Sequence, residues 1–316
     1  MSPGGSARQL VSVVIPTYNA AAFIKDCLEG VFAQQGDFEL DVVLVDDGSS
    51  DDTLAQVRAT GYPVRCFEQT NAGPAAARNR ALREAAGDYI AFLDADDLWP
   101  ADKLAQQLAV LQAHTDIGLL FGDCRQFDKD GDFSQTLFEE GQRDLAFWGD
   151  PLYVRQPYAK LMQGNFITTG SIVMRRACVD RVGYFDEDLR LVEDREYWLR
   201  IALEFPSAYV DSVCLLRRRH DDNTSRDQVA MSLAFLGVLE SHRRRYRDAM
   251  GAQSADLDAR MNREYQELGH LYMRRASHGA AARAYLRALV RQPGVRPAYY
   301  LTSALLASIG MRRNPG

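Results

Sequence analysis

Asp88-Tyr89-Ile90-Ala91-Phe92-Leu93-Asp94-Ala95-Asp96-Asp97 decides how the rest of the chain is read. A short apolar run that stops abruptly suits a strand buried on both faces, as in a parallel sheet. The acidic residues begin where the strand stops. Working back, Gly73-Pro74 opens a helix that runs to Gly87, with Pro early and Gly late. Before it, Val64 to Gln69 reads as a strand. Gly48-Ser49-Ser50-Asp51-Asp52-Thr53 reads as a turn capping the helix that ends near Gly61. Asp41 to Asp47 is a buried strand running into acid, and Ala20 to Ala33 has helical apolar spacing. Val11 to Ile15, ending at Pro16, is the first strand. Working forward, Pro100 to Ala113 reads as a helix. Strand and helix thus alternate four times before His114, the pattern of a parallel sheet covered by helices.

Beyond that point, Ile117 to Phe127, Ser171 to Met174 and Tyr209 to Leu216 read as strands, and Arg195 to Glu204 as a helix. Residues 128–165 read as an irregular loop region over one edge of the site. From about Ser225 only helix remains. Tyr265 to Leu306 has the helix, turn, helix, proline layout of one tetratricopeptide-like unit, which suits packing on another domain or subunit. The expected architecture is α/β, with a domain at 1–225 and a helical region at 226–316.

Hydrophobic residues make up 47% of the chain and charged residues 25%, so a sizeable soluble core is possible. The charge is divided unevenly. Residues 1–225 hold 22 Lys+Arg against 36 Asp+Glu, a net of −14; residues 226–316 hold 15 Arg against 7 Asp+Glu, a net of +8. A solvated arginine-rich surface accounts for the second value. Contact with an anionic membrane or lipid phosphate is the sharper reading. Nucleic acid is disfavoured, because no aromatic platform accompanies the arginines. The five cysteines show no CxxC spacing and suit reduced, buried thiols. No signal peptide is visible and no apolar run reaches the ~18 residues of a membrane span. A cytoplasmic protein, peripheral at the inner membrane face if the basic region touches lipid, is expected.

Ligands of open parallel sheets bind outside the carboxyl ends of the strands. Here those ends carry Pro16-Thr17-Tyr18-Asn19, then Asp46-Asp47, then Asn71-Ala72-Gly73 with Arg78, then Asp94, Asp96 and Asp97. Asp94 and Asp96 share a face if the extended conformation persists. Such a carboxylate pair suits Mg²⁺ or Mn²⁺ shared with a diphosphate. The alternative is an acidic turn in which Asp97 caps the next helix. Glu193-Asp194 opens a helix whose apolar face includes Tyr197 and Trp198. A carboxylate there is ordinarily a cap.

The run VSVVIPTYNA, VVLVDDGSSDDT, NAGPAAARNRAL and GDYIAFLDADDLW, followed by TTGSIVMRRACVDRVGYFDEDL, EDREYWLRIA and LRRRHDDNTS, resembles the family 2 glycosyltransferases, which have the GT-A fold. The resemblance covers about residues 10–225. It implies a nucleotide-sugar donor bound by Pro16, Thr17, Tyr18, Asn19, Asp46, Asp47, Arg78, Asp94 and Ala95. Within that set, Tyr18 would stack on the base, Asp47 would hydrogen-bond its edge, and Asp46 would orient the loop. Asp96, supported by Asp94, would bind Mn²⁺ or Mg²⁺, and His220 would ligate the metal or contact phosphate. Asp194 would be the catalytic base. Glu193, Trp198 and Arg218 would contact acceptor or diphosphate, with Asn223-Thr224-Ser225 in the segment that closes over it. The implied reaction is inverting transfer from a UDP-linked or related donor to a glycan or lipid-linked acceptor, in cell-surface polysaccharide synthesis. A homo-oligomer through the C-terminal helices is a further expectation.

Two other enzyme classes fit less well. A nucleotidyltransferase would carry a glycine-rich basic loop where Pro16 to Ala20 stands, and a dinucleotide-dependent dehydrogenase would carry G-x-G-x-x-G there. A non-catalytic sugar-nucleotide-binding or assembly protein would have no need of both Asp96 and Asp194. His114, His242, His270 and His278 read as surface residues.

Overall fold

The computed structural model describes residues 8–220, 227–246 and 254–309. The chain divides into two compact units, residues 1–221 and 222–316.

The first unit is built on an eight-stranded sheet of order β3-β2-β1-β4-β7-β5-β6, with β8 also paired to β5. Its strands are β1 (Gln9–Thr17), β2 (Phe38–Asp46), β3 (Val64–Glu68), β4 (Tyr89–Phe92), β5 (Leu119–Asp128), β6 (Gly131–Thr136), β7 (Val173–Arg175) and β8 (Ser207–Arg218). β1 pairs in parallel with β2 on one side and β4 on the other. Chain order therefore reverses at β1, and a crevice opens outside the carboxyl ends there. β4 and β5 both pair antiparallel with β7, and β5 pairs parallel with β8. Two reversals restore direction, so β8 also delivers its carboxyl end to the edge where β1, β2 and β4 finish.

Alternate β1 side chains Val11, Val13 and Ile15 are fully buried in one cluster with Ile24, Leu28, Leu104 and Leu108. Burial of each contributes roughly 1.5–3 kcal/mol, which makes the strand's register costly to shift. Four helices connect the first strands to β5: α1 (Ile24–Phe32), α2 (Thr53–Ala59), α3 (Pro74–Glu84) and α4 (Lys103–Ala113). The region read as a loop is more ordered than expected. Hairpin strand β6 and the short helices α5 (Leu137–Glu140), α6 (Leu145–Trp148) and α7 (Pro157–Gln163) occupy it, because Phe138, Trp148 and Phe166 pack on Phe121 of β5. α8 (Arg176–Val182) and α9 (Glu193–Glu204) complete the unit.

The second unit holds α10 (Gln228–Arg245), α11 (Ser254–Arg274), α12 (His278–Arg291) and α13 (Val295–Ser308). Gly269 of α11 lets the Tyr285 ring of α12 approach so closely that a Cβ there would overlap it. Among the described residues, no helix is long and apolar enough to cross a membrane. All five cysteines are free and four are buried; Cys66 is exposed, contrary to expectation, because β3 is an edge strand. His242 is likewise buried instead of lying on the surface.

Candidate active site

At the end of β1, Tyr18 is 54% exposed, the condition for a ring to stack on a ligand. Asn19 has φ +49, a left-handed conformation that asparagine tolerates. That turn aims its polar groups across the crevice. The Asn19 amide donates to Ser49 Oγ at 2.9 Å, and its side-chain oxygen accepts from the Ser50 amide at 2.8 Å. Thr17 Oγ1 is buried without a partner. Pro16 sits within β1, beside Val45.

Asp46 and Asp47 are both buried. Asp46 accepts from the amide and hydroxyl of Ser49. Asp47 accepts from Gln69 Nε2, the Ala72 amide and the Gly73 amide, each at 2.8 Å. Gly73 stands at φ +93, where a side chain would be strained. Asp47 thus pins the turn that starts α3, and one of a carboxylate's roughly four acceptor positions is left for a ligand.

The acidic tip after β4 is held from β8. Leu98 and Leu216 exchange backbone hydrogen bonds at 3.0 and 2.9 Å. Asp97 accepts from the Arg218 amide at 2.9 Å, and Arg218 Nε donates to the Asp96 carbonyl at 3.0 Å. Asp97 is not the cap of α4; Asp102 holds that position and makes no side-chain cap bond. Burial, then repulsion from Asp96 and Asp94, raises the Asp97 pKa well above the carboxylate range. Arg218 lies between the rings of Phe23 and Phe127 and reaches Asp26 at 3.3 Å, so it helps tie β8 to the acidic tip. Ala95 is buried in the core cluster, leaving only its backbone to face the crevice.

Asp96 Oδ2 lies 2.8 Å from His220 Nε2, and the imidazole stacks on Phe23 at 5.0 Å. Asp94 is 38% exposed beside them. Among the described residues, no cluster of three or more His, Cys, Asp or Glu is arranged to hold a metal alone. A carboxylate and an imidazole nitrogen facing each other fit a hard cation that takes its remaining ligands from phosphate and water.

Arg78, on α3, joins this tip to α9. It donates to Asp94 Oδ1 and to Glu193 Oε1, each at 2.8 Å. Burial opposes its charge, but Asp94 and Glu193 outweigh burial and raise its pKa. Arg78 thus bridges the carboxylate at the strand tip and the one that opens α9. Burial, followed by Asp194, raises the Glu193 pKa, while Arg78 opposes them.

Asp194 lies in the first turn of α9, where the helix dipole favours an anion. It accepts from Thr169 Oγ1 at 3.3 Å and from the Arg195 amide at 2.6 Å. The preceding Val192 has φ +58, a strained value for a β-branched residue. Trp198 does not face the crevice. It is 0% exposed, packed against Phe92, Phe185 and Tyr197, and so anchors α9 to the sheet. Asn223-Thr224-Ser225 lies outside the described residues. Thr169 and Phe23 were not singled out from sequence. The polar pair Thr168-Thr169 before β7 was a signal for the first, whereas Phe23 had only the periodicity of a core residue. A separate cavity of about 520 Å³, lined by Phe138, Arg143, Trp148, Tyr209 and Ser212 among others, involves none of these site residues.

The glycosyl transferase family 2 model matches residues 12–183. The chain belongs to glycosyltransferase family 2. Relatives include a chondroitin synthase of Escherichia coli, 30% identical over 68% of this chain and 30% of that protein. An uncharacterized glycosyltransferase of Rickettsia felis is 29% identical over 72% of this chain and 36% of that protein. The chain spans about a third of the length of these curated relatives. Among solved structures, S. aureus TarS 1-349 in complex with UDP-GlcNAc matches with TM-score 0.58 and 19% identity, over 96% of this chain and 93% of that one. The mannosyltransferase PcManGT from Pyrobaculum calidifontis, with GDP-Man and Mn²⁺, matches with TM-score 0.58 and 21% identity, over 98% and 83%. At these identities the structural likeness establishes the GT-A fold of this chain.

Proposed function

We propose that the chain is an inverting glycosyltransferase that moves a sugar from a nucleoside-diphosphate donor, UDP-linked in first preference, to a hydroxyl of a glycan or lipid-linked acceptor in cell-surface polysaccharide synthesis. The observation that carries this reading is the Arg78 bridge from Asp94 to Glu193, which ties the acidic strand tip to the start of α9. Donor-side and acceptor-side carboxylates are thereby fixed relative to each other, as a single displacement requires.

In this mechanism Tyr18 stacks on the base, the free acceptor position of Asp47 meets its edge, and Asp94 lies near the ribose. Asp194 takes the proton as the acceptor oxygen attacks the anomeric carbon. The bond to the nucleoside diphosphate breaks, its electron pair leaves on the phosphate oxygen, and the anomeric configuration inverts. Mn²⁺ or Mg²⁺, held by Asp96 and His220, would supply charge stabilisation to the departing diphosphate. Arg78 and Glu193 position these groups. Acceptor choice is assigned to residues 128–165 and to the C-terminal helices.

A screen of nucleotide-sugars with and without Mn²⁺, read by thermal stabilisation and donor hydrolysis, tests the reading. A true donor at a hundredfold excess over its Kd stabilises by about 2.7 kcal/mol. Silence from every nucleotide-sugar in both readouts would refute it.

A further inference from the structure

Residues 268–316 contain eight arginines and no aspartate or glutamate. Arg275 pairs with Asp227 at 2.9 Å and Arg291 with Glu240 at 3.1 Å. No carboxylate of the described residues pairs with Arg274, Arg283, Arg287 or Arg296, and all four are exposed.

The same segment exposes large apolar side chains. Pro297 and Ala304 mark the buried side of α13, whereas Val295 is 87% exposed, and Tyr299, Leu305 and Ile309 also face outward. On α12, Leu286 and Val290 lie one turn apart, and Val290 is 74% exposed. The core of this helix pair is complete without them: Ala281, Ala282, Tyr285 and Ala304 pack with Tyr272, Met273, Tyr300 and Leu301. The packing of the helix pair therefore accounts for neither the exposed apolar side chains nor the unopposed charge, of which Arg287 alone also lies over a ring, that of Tyr265.

A partner that satisfies both must be anionic at its surface and apolar just beneath, which describes a leaflet containing acidic phospholipid. A second copy of this chain would set the same uncompensated arginines against themselves. We propose that the α12–α13 pair docks on an anionic phospholipid surface. Val290, Val295 and Tyr299 enter the interfacial layer, and Arg283, Arg287 and Arg296 meet headgroup phosphates.

The test is co-sedimentation of the full-length chain with vesicles of phosphatidylcholine alone or with about 30% phosphatidylglycerol. Binding is expected only with the anionic vesicles, and it should fall away at about 0.5 M salt. Each arginine at such a surface contributes roughly fivefold, so Arg283→Gln with Arg287→Gln should weaken partitioning by about 25-fold. Val295→Ser with Tyr299→Ser should weaken it as well. Both double variants should keep the parent melting temperature, since all four side chains are exposed. Equal binding to neutral vesicles, no binding at all, or binding indifferent to both double variants would overturn the proposal. A concentration-dependent dimer abolished by Val295→Ser with Tyr299→Ser would also overturn it, by assigning the exposed apolar side chains to a second copy.

Discussion

In the N-terminal unit, Arg78 and Arg200 are buried and each is matched to carboxylates, Asp94 and Glu193 for one and Glu196 for the other. In the C-terminal unit Arg260 is treated the same way by Glu264, but Arg274, Arg283, Arg287 and Arg296 stand exposed with no opposing charge among the described residues. The contrast separates two uses of one side chain. Arg200 and Arg260 pair within their own helices, whereas Arg78, forked between Asp94 and Glu193, fixes the distance between two elements, because moving either end leaves a charge unpaired in low dielectric. Arg287 also lies over the Tyr265 ring, but an exposed arginine with no opposing charge keeps its charge available to whatever approaches.

Changes at the buried network and the groups it positions should therefore have large effects, and changes in the exposed set small ones. Asp194→Asn should lower the transfer rate by about 10²- to 10⁴-fold, the usual contribution of a general base, with little change in donor KM. Steady-state kinetics with a hydrolysed or transferred donor would show this. Arg78→Met should destabilise by about 3–5 kcal/mol in chemical denaturation, because it leaves Glu193 buried without its partner. Adding Glu193→Gln should recover part of that loss. A full recovery of stability together with full activity would mean that the bridge positions nothing.

Lys103 sharpens the comparison from the other side, as a buried amine with no carboxylate partner among the described residues. Its ammonium lies 3.9 Å from the Trp99 ring centre and donates to the Ile172 carbonyl at 3.1 Å. Burial pushes its pKa down to about 7 from the usual 10.5. Below pH 7 both folded and unfolded chains carry the proton, and the cost of burying the charge is fully present. Between pH 7 and 10.5 the folded state sheds the proton first, so this group's contribution favours folding increasingly as pH rises. Lys103→Met should therefore be more stable than the parent at pH 6, on the order of 2–4 kcal/mol, with the gap closing toward pH 10. Denaturation midpoints across that range would reveal an unchanged gap if the reasoning is wrong. At the small end, Arg283→Gln with Arg287→Gln should leave stability within about 0.5 kcal/mol, as expected for exposed side chains.

Local pattern made part of this readable in advance. Asp94, Asp96 and Asp194 follow a strand or open a helix, and such positions are visible in a string of letters. The alternation of apolar runs likewise located β1 to β4 and their helices. The commitments of the functional side chains were not visible, because each depends on elements far apart in sequence. Asp97 looked like a helix cap until β8, arriving at the same edge through two antiparallel pairings, placed the Arg218 amide beside it. The second partner of Arg78, Glu193, is supplied by α9, more than a hundred residues away in sequence. The resemblance implies an acceptor or diphosphate contact for Trp198, but α9 turns its indole against Phe92 and Phe185. Residues 128–165 lack clear periodicity because their order comes from aromatic packing on Phe121, not from amphipathic repeats.

We propose that the Asp94–Asp96–His220 edge holds a metal-bound nucleoside diphosphate. Calorimetric titration of UDP and GDP into the full chain, with and without Mn²⁺, tests it most directly. Tight binding of one nucleotide is expected in the presence of Mn²⁺, weakened roughly 10- to 100-fold by Asp96→Ala or His220→Ala with the fold intact. Equal affinity with and without the metal, or variants that bind as well as the parent, would contradict it.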